Sequence, residues 1–211
     1  MTKPQLILIG AGGHARSCID VIEQQGYFKI AGLVGFPEQR ASQHVDYGYA
    51  VVGVDCELIN LAKTYQYAII TVGQMQSSQH RIRLYQEATK LGFQLPTIIA
   101  PTAHVSIHST LGAGTIIMHG AIVNAGASVG SNCIVNSRAL IEHDARVEDH
   151  CHISTGVILN GGVTVGAGSF IGSGTVIKQG ITIGRDCLVG MGLAVRHDLT
   201  NCTQFTGHVE P

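Results

Sequence analysis

Tryptophan is absent from this 211-residue sequence, and charged residues make up only 13% of it. The formal net charge is −1, with 13 Lys and Arg residues against 14 Asp and Glu residues. This balance lacks the basic excess of proteins that bind nucleic acids or anionic membrane surfaces, so we expect neither kind of partner. No apolar run approaches the ~20 residues of a membrane-spanning helix, so we expect no membrane insertion.

The six cysteines also lack a recognisable spacing, because no pair of them forms a CxxC motif. Cys133, Cys151 and Cys187 stand where a small apolar residue recurs in the sequence, and cysteine fills such positions compactly. Residues 1–5 are too few and too polar to begin a signal peptide, since the apolar run at residues 6–9 leads directly into a glycine turn. These features predict a reduced, cytoplasmic protein.

What the sequence does contain is an aliphatic residue at every sixth position over more than 90 residues. The positions are Val105, Leu111, Ile117, Val123, Val129, Val135, Ile141, Val147, Ile153, Leu159, Val165, Ile171, Ile177, Ile183, Val189 and Val195. A strict period of six fits neither a helix nor a simple strand, and it is typical of a stacked β-solenoid. Each coil of a solenoid leaves an apolar face that only the next coil can cover, so all 16 hexads must stack together.

The amino-terminal part follows a different pattern. The apolar run at residues 6–9 precedes Gly10-Ala11-Gly12-Gly13-His14, and an amphipathic helical pattern covers residues 16–25. Strand, glycine turn and helix begin a βαβ unit, and such a turn presents backbone N–H groups to phosphate. Tight packing of the strand against the helix, without any ligand, explains the same glycines.

Further strands are predicted at residues 30–34, 67–72 and 96–99, and helices within residues 53–61 and 78–91. We therefore predict a small Rossmann-like α/β domain over residues 1–97, followed by a β-helix domain with a short tail over residues 98–211. No acidic residue directly follows the second strand, where a nicotinamide-dependent dehydrogenase would bind its ribose. That absence argues against this class of enzyme.

Among the histidines, His143 is distinctive because carboxylates flank it in Glu142-His143-Asp144. A carboxylate that accepts a hydrogen bond from one imidazole nitrogen fixes the tautomer and raises the basicity of the other nitrogen. This pattern indicates a general base. Two alternatives stay open: His143 is a solvated surface residue, or it binds zinc together with His150, His152 and His119 from a neighbouring chain.

Several motifs occur in one order along nearly the whole chain and together carry a family resemblance. They are residues 9–14, Thr71-Val72-Gly73, Asn136, Ile141-Glu142-His143-Asp144 and His152-Ile153-Ser154, followed by the remaining hexads. In these motifs the sequence resembles sugar acyltransferases of the sialic-acid O-acetyltransferase (NeuD) type and their relatives, the PglD-type UDP-4-amino-sugar N-acetyltransferases.

The resemblance implies a left-handed β-helix with three hexads per coil, a homotrimer, acetyl-CoA in the groove between neighbouring solenoids, and no metal. It implies His143 as general base and Asp144 as the group that raises its basicity. The substrate-binding residues implied are Gly12, Gly13, His14, Gly73 and Asn136. The residues implied to bind acetyl-CoA are His152, Gly161, Ser173 and Met191.

We therefore expect an acetyl-CoA-dependent N-acetyltransferase that acts on a nucleotide-activated amino sugar of the UDP-4-amino-sugar type, for surface glycan biosynthesis. The alternatives are a sugar or sialic acid O-acetyltransferase, a metal-dependent enzyme similar to the gamma-type carbonic anhydrases, and a nucleotide-sugar-binding protein without activity. Two departures from the family pattern are visible: Val34-Gly35 replace acidic residues after the second strand, and residues 207–211 lack the usual basic ending.

Overall fold

The computed structural model describes residues 2–41, 45–74 and 76–207. Within these ranges, its amino-terminal part contains five strands and four helices, with a 3₁₀ turn at Asp55–Glu57. The strands are β1 (Gln5–Ile9), β2 (Lys29–Gly35), β3 (Val45–Asp46), β4 (Tyr49–Val54) and β5 (Tyr67–Ile70). The helices are α1 (Gly13–Gln25), α2 (Pro37–Ala41), α3 (Leu58–Leu61) and α4 (Gln79–Lys90).

These strands form one sheet in the order β3-β4-β2-β1-β5, in which β4, β2, β1 and β5 are parallel and β3 is antiparallel to β4. The parallel β1-α1-β2 connection confirms the Rossmann-like unit. Helix α1 begins at Gly13, earlier than the hydrophobic pattern predicted, because Gly12 already occupies its N-cap in an extended conformation. Strand β4 went unpredicted, since Gly53 and Asp55 give this segment the composition of a turn.

From Ile98 onward the chain forms two-residue strands at intervals of six residues, and strands 18 residues apart pair in parallel. Three strands therefore complete one coil, and the coils form a left-handed β-helix with three faces. The predicted fold class is confirmed. The strand predicted at residues 96–99 is shorter, Ile98–Ile99 (β6), and it pairs with the solenoid strand Ile116–Ile117.

The three faces of the β-helix are called covered, apolar and polar. The amino-terminal domain packs against the first, and the other two are named after their outward side chains. The covered face consists of β6, β9 (Ile116–Ile117), β12 (Ile134–Val135), β15 (His152–Ile153), β18 (Phe170–Ile171), β21 (Leu188–Val189) and β23 (Gln204–Phe205). The apolar face consists of β7 (His104–Val105), β10 (Ile122–Val123), β13 (Leu140–Ile141), β16 (Ile158–Leu159), β19 (Val176–Ile177) and β22 (Ala194–Val195). The polar face consists of β8 (Thr110–Leu111), β11 (Ser128–Val129), β14 (Arg146–Val147), β17 (Thr164–Val165) and β20 (Thr182–Ile183).

The aliphatic residues of the hexads point inward and form one continuous core, and from Ile117 to Val195 each is 3% exposed or less. From Gly114 to Gly192 the chain turns at each corner through a residue in the left-handed conformation, three places after the aliphatic one. Glycine fills most of these positions because it lacks the steric penalty of a side chain there. Asn132, Asp144 and Asp186 adopt the same conformation with φ between 52° and 60°.

The amino-terminal sheet lies against the covered face through helix α1, whose apolar residues share a core with Ile98, Ile116 and Met118. None of the described helices has both the length and the apolar character needed to cross a bilayer. All six cysteines are free thiols. The domain boundary at residues 97 and 98 and the cytoplasmic location stay predictions.

The core predicts a strong contrast between the two residues of one strand. Ile183→Ala removes a fully buried side chain and should lower the free energy of unfolding by about 2–5 kcal/mol. Thr182→Ala, on the outer side of the same strand, should change it by no more than about 0.5 kcal/mol. Urea unfolding of both variants measures the difference, and equal losses would contradict the inward orientation of the hexads.

Candidate active site

A cavity of about 400 Å³ opens at the carboxyl ends of β1, β2 and β5, next to the covered face of the solenoid. Ligands of parallel α/β sheets bind at this edge, where connections leave in opposite directions. The residues that line the cavity are Gly10, Ala11, Gly12, Gly13, His14, Val34, Gly35, Phe36, Gln39, Asp55, Thr71, Val72, Gly73, Gln74, His80, Leu84 and His152.

The glycine turn forms one wall of this cavity. A Cβ atom at Gly10 would lie 2.9 Å from the backbone of Thr71, so only glycine permits this close approach between the ends of β1 and β5. Gly12 and Gly13 have no atoms within 4 Å of a Cβ position, so their backbone faces open space at the start of α1. Their N–H groups belong to the first helical turn, which lacks partners within the helix and favours an anion.

Two histidines contribute the polar atoms of the cavity. The rings of His14 and His152 lie 6.3 Å apart, and the Nε2 atom of each is buried without a hydrogen-bond partner among the described residues. Nδ1 of His152 lies 2.9 Å from the backbone oxygen of Gln74. Burial, with the nearby His152 and Arg81, lowers the pKa of His14 to about 3, and burial with Arg81 lowers that of His152 to about 4. Both imidazoles are therefore neutral at physiological pH.

The sequence alone did not point to three other polar residues here. Asp55 and His80 line the cavity, and Asp55 forms an ion pair with Arg83 at 2.9 Å. Gln74 is 3% exposed and also lines it. Asp55 supplies a carboxylate to this wall, but it follows β4 rather than β2, after which the family pattern has acidic residues. Its position in the sequence therefore gave no sign of this role.

His143 and Asp144 lie away from this cavity, at the corner between the apolar and polar faces. Nδ1 of His143 is 2.9 Å from Oδ2 of Asp144, and both side chains are more than half exposed. The hydrogen bond to Asp144 raises the pKa of His143 above its ordinary value of 6.5. Because a carboxylate accepts, Nδ1 of His143 donates its proton and Nε2 keeps a lone pair.

Two glycines on neighbouring coils make room for this pair. The His143 ring lies over Gly161, one coil further along, where a Cβ atom would be 2.6 Å from Nε2 of His143. Gly126, one coil earlier, likewise makes room for the carboxylate, since a Cβ atom there would meet Oδ1 of Asp144. A side chain at either position would therefore displace the ring or the carboxylate from the observed arrangement.

The backbone around Gly161 is also informative. The N–H of Asn160 bonds the oxygen of Ile177, and the N–H of Gly162 bonds the oxygen of His143. The N–H of Gly161 donates to no residue in the described part of the chain. An unpaired donor thus lies beside the His143 ring.

Asn136, Ser173 and Met191 stand at a different corner, between the covered and apolar faces. Oδ1 of Asn136 accepts a bond from the backbone N–H of Ser137, Oγ of Ser173 contacts Oγ of Ser154 at 2.8 Å, and Met191 is 79% exposed. Within one chain the expected site residues are thus split. The cavity holds Gly12, Gly13, His14, Gly73 and His152, whereas His143, Asp144 and Gly161 share one corner and Asn136, Ser173 and Met191 share another.

The histidines considered as zinc ligands are dispersed in the same way. His143, His150 and His152 occupy the apolar–polar corner, the polar–covered corner and the covered face, respectively. His119 bonds Asp20 at 2.8 Å and Thr102 at 2.9 Å. Within residues 2–41, 45–74 and 76–207, no three His, Cys, Asp or Glu side chains form a group that could hold a metal ion. Residues 208–211, which include most of the shortened ending, lie outside the described residues.

Two family models match the sequence. Residues 5–88 match the PglD N-terminal domain, and residues 162–196 match the hexapeptide repeat of succinyl-transferase. A comparison with curated proteins found no match.

Solved structures resemble the chain over almost its whole length. A mutant of perosamine N-acetyltransferase from Caulobacter crescentus, crystallised with CoA and GDP-perosamine, is 32% identical over 93% of this chain and 90% of its own, with a TM-score of 0.87. The acetyltransferase domain of PglB from Neisseria gonorrhoeae, in complex with acetyl coenzyme A, is 29% identical over 95% of both chains, with a TM-score of 0.86. WeeI from Acinetobacter baumannii, 19% identical over 93% of this chain and 94% of its own at a TM-score of 0.79, shares the fold.

The pair of His143 and Asp144 predicts a titration that can be measured without substrate. Wild-type His143 should titrate above pH 6.5, and Asp144→Asn should lower its pKa because the bonded carboxylate is lost. Asparagine tolerates the left-handed backbone of Asp144, so the corner should survive. NMR titration of the imidazole resonance measures the shift.

Asp186→Asn is the matched control, since Asp186 has the same conformation and the same contact with a glycine one coil earlier. It should leave the pKa of His143 unchanged. An equal pKa in wild type and Asp144→Asn would show that the carboxylate does not hold the imidazole in solution.

Proposed function

The chain belongs to the PglD/NeuD-type family of hexapeptide-repeat sugar acyltransferases, and we propose that it acetylates the amine of a nucleotide-activated amino sugar with acetyl-CoA. The observation that carries the proposal is the pair of His143 and Asp144, placed beside an unpaired backbone donor at Gly161. The CoA and nucleotide-sugar complexes of the relatives support the two substrates.

His143 serves as the general base. Its Nε2 atom removes a proton from the sugar amine as the nitrogen attacks the carbonyl carbon of the thioester. Asp144 holds Nδ1–H and stabilises the imidazolium that forms. The base must be neutral to accept the proton, so activity falls as the pH drops below the raised pKa of His143.

The tetrahedral intermediate carries a negative charge on the former carbonyl oxygen. The N–H of Gly161 supplies a hydrogen bond to that oxygen, and such donors contribute most where the charge develops. The C–S bond then breaks, the CoA thiolate takes the proton from His143, and an N-acetyl sugar leaves. The transfer from thioester to amine needs neither a metal nor a covalent acyl-enzyme.

The acceptor binds in the cavity of the amino-terminal sheet. The glycine turn binds phosphate at the start of α1, and the neutral His14 offers hydrogen-bonding atoms to the rest of the ligand. His152, which the family resemblance assigns to acetyl-CoA, lines the same cavity, so we assign it to the acceptor instead. The UDP type of nucleotide stays a prediction, and the relative from C. crescentus was crystallised with a GDP-linked sugar. We also propose that the product serves surface glycan biosynthesis and that the reaction takes place in the cytoplasm.

A homotrimer would unite the separated residues. The apolar face carries the outward residues Ile122, Leu140, Ile158, Val176 and Ala194, of which Ile122 and Val176 are each 38% exposed. On the polar face the outward residues are Thr110, Ser128, Arg146, Thr164 and Thr182. A contiguous apolar strip on one face marks a protein–protein contact.

The geometry of such a contact explains the split site. The two corners that hold His143 and Met191 border the apolar face on opposite sides. In a ring of three identical prisms, contacts are heterologous, so one edge of this face meets the opposite edge of the next copy. That arrangement brings the His143 corner of one protomer to the Asn136, Ser173 and Met191 corner of its partner, with acetyl-CoA between them.

The reaction is tested by thiol release from acetyl-CoA with a panel of nucleotide-linked 3-amino and 4-amino sugars, given as UDP and GDP derivatives, with free sialic acid alongside. One amino sugar should be turned over, and His143→Ala should reduce kcat by about 10²–10⁴-fold. His108→Ala, an exposed histidine at the same corner, is the control and should retain full activity. Turnover of sialic acid alone would assign the chain to O-acetylation, and a loss below tenfold in His143→Ala would exclude the general-base role.

The trimer predicts that Ile158→Asp, which places a charge in the centre of the apolar strip, yields monomers and abolishes activity. Thr164→Asp lies one hexad later on the polar face and should leave the assembly and the activity intact. Light scattering coupled to size-exclusion chromatography measures the mass. Monomeric wild-type protein with full activity would refute the shared site.

A further inference from the structure

Arg81 is a buried cation without an anionic partner. Its side chain lies on α4 and is 1% exposed. Nη1 donates to Oε1 of Gln74 at 2.9 Å, and Nη2 donates to the backbone oxygen and Oδ1 of Asn132. No carboxylate bonds the guanidinium within the described residues, and its Nε atom has no partner. A buried charge held only by neutral groups is costly, so its presence calls for an explanation.

The titratable groups that face this cation from the described elements are histidines and thiols. They are His14 and Cys18 from α1, and Cys133, His150, Cys151 and His152 from the solenoid. Burial raises the pKa of Cys18 to about 12 and that of Cys151 well above its usual range, so both thiols keep their protons. Burial lowers the pKa of Arg81 to about 10, which still leaves it charged at neutral pH.

A chain of directed hydrogen bonds runs from Arg81 to the cavity. A guanidinium only donates, so Arg81 fixes which end of the Gln74 amide is the oxygen. The amide nitrogen of Gln74 is then turned to the backbone oxygen of Gly168 at 2.9 Å. With its side chain held at both ends, Gln74 presents its own backbone oxygen to Nδ1 of His152.

This last bond sets the state of His152. A carbonyl oxygen only accepts, so Nδ1 carries the proton and Nε2 carries the lone pair. Nε2 belongs to a side chain that lines the cavity, and it is buried without a partner in the part of the protein that the structure describes. A ligand amine or hydroxyl would donate the hydrogen bond that Nε2 lacks.

We propose that Arg81 is a positioning residue which, through Gln74, holds His152 as a neutral acceptor turned toward the acetyl acceptor in the cavity. The positive charge of Arg81 opposes protonation of His152, and the fork of its guanidinium orders Gln74 between α4 and the polar–covered corner. The expected change in the KM for the amino sugar rests on the proposed function, whereas the expected tautomer of His152 does not depend on it.

The first measurement is the tautomer of His152 in the wild-type enzyme labelled with ¹⁵N-histidine, with the resonance assigned by its loss in His152→Gln. We expect a neutral ring protonated on Nδ1 from about pH 6 to pH 8. A charged ring, or one protonated on Nε2, would overturn the proposal whether or not an active substrate is known.

The second measurement uses Arg81→Lys and Gln74→Met. Lysine keeps the charge but lacks the fork that reaches Gln74 and Asn132 together. Methionine keeps the bulk of Gln74 without either hydrogen bond. In each folded variant we expect a mixture of His152 tautomers and a KM for the amino sugar raised at least tenfold, with the KM for acetyl-CoA changed less than twofold. Lys90→Met removes an exposed cation from the same helix and should change neither quantity.

A merely structural role for Arg81 would lower Tm without changing the tautomer or the KM for the sugar in protein that remains folded. That result would refute the proposal. A rise in the KM for acetyl-CoA alone would also refute the proposal, because His152 would then contact acetyl-CoA rather than the amino sugar. If Arg81→Lys does not fold, the Gln74→Met variant and the tautomer of His152 in the wild-type enzyme still test the proposal.

Discussion

Burial of one aliphatic side chain per hexad is the constraint on which the rest of the molecule depends. Because each coil is covered only by its neighbours, the coils stack at a spacing of about 4.8 Å and keep their register. Residues 18 positions apart therefore lie in columns at the corners. A functional side chain placed in such a column has fixed neighbours on the coils before and after it, without any long loop to position it.

The pair of His143 and Asp144 uses this property directly. The ring lies over Gly161 and the carboxylate over Gly126, so the coil on each side contributes an empty position rather than a contact from a side chain. The left-handed conformation of Asp144 is the ordinary conformation of its corner position. The geometry of this proposed catalytic pair is a local variation of the repeat, which explains how an exposed pair can hold a defined orientation.

The hexad period identified the solenoid because a strict repeat of six has one structural explanation, and the βαβ unit followed from a strand, a glycine turn and a helix. The bond between His143 and Asp144 was also predictable, since the two are adjacent in sequence. Arg81, Gln74 and Asp55 were not predictable, because their roles depend on contacts with Asn132, Gly168, His152 and Arg83, which lie 28 to 94 positions away from their partners. Strand β4 was missed because Gly53 interrupts its pattern.

The two groups of histidines to which the proposed reaction assigns roles differ in their electrostatic environment. At the solenoid corner His143 is exposed and bonded to a carboxylate, which raises its pKa, whereas burial and the charge of Arg81 lower the pKa of His14 and His152 in the cavity. One histidine is thus suited to gain a proton during turnover, and the other two are held neutral throughout it. A single solenoid keeps these opposite environments on different sides of its coil, and the proposed trimer would bring them together. Assembly would then control the chemistry: a monomer could bind the sugar yet lack the base that activates it.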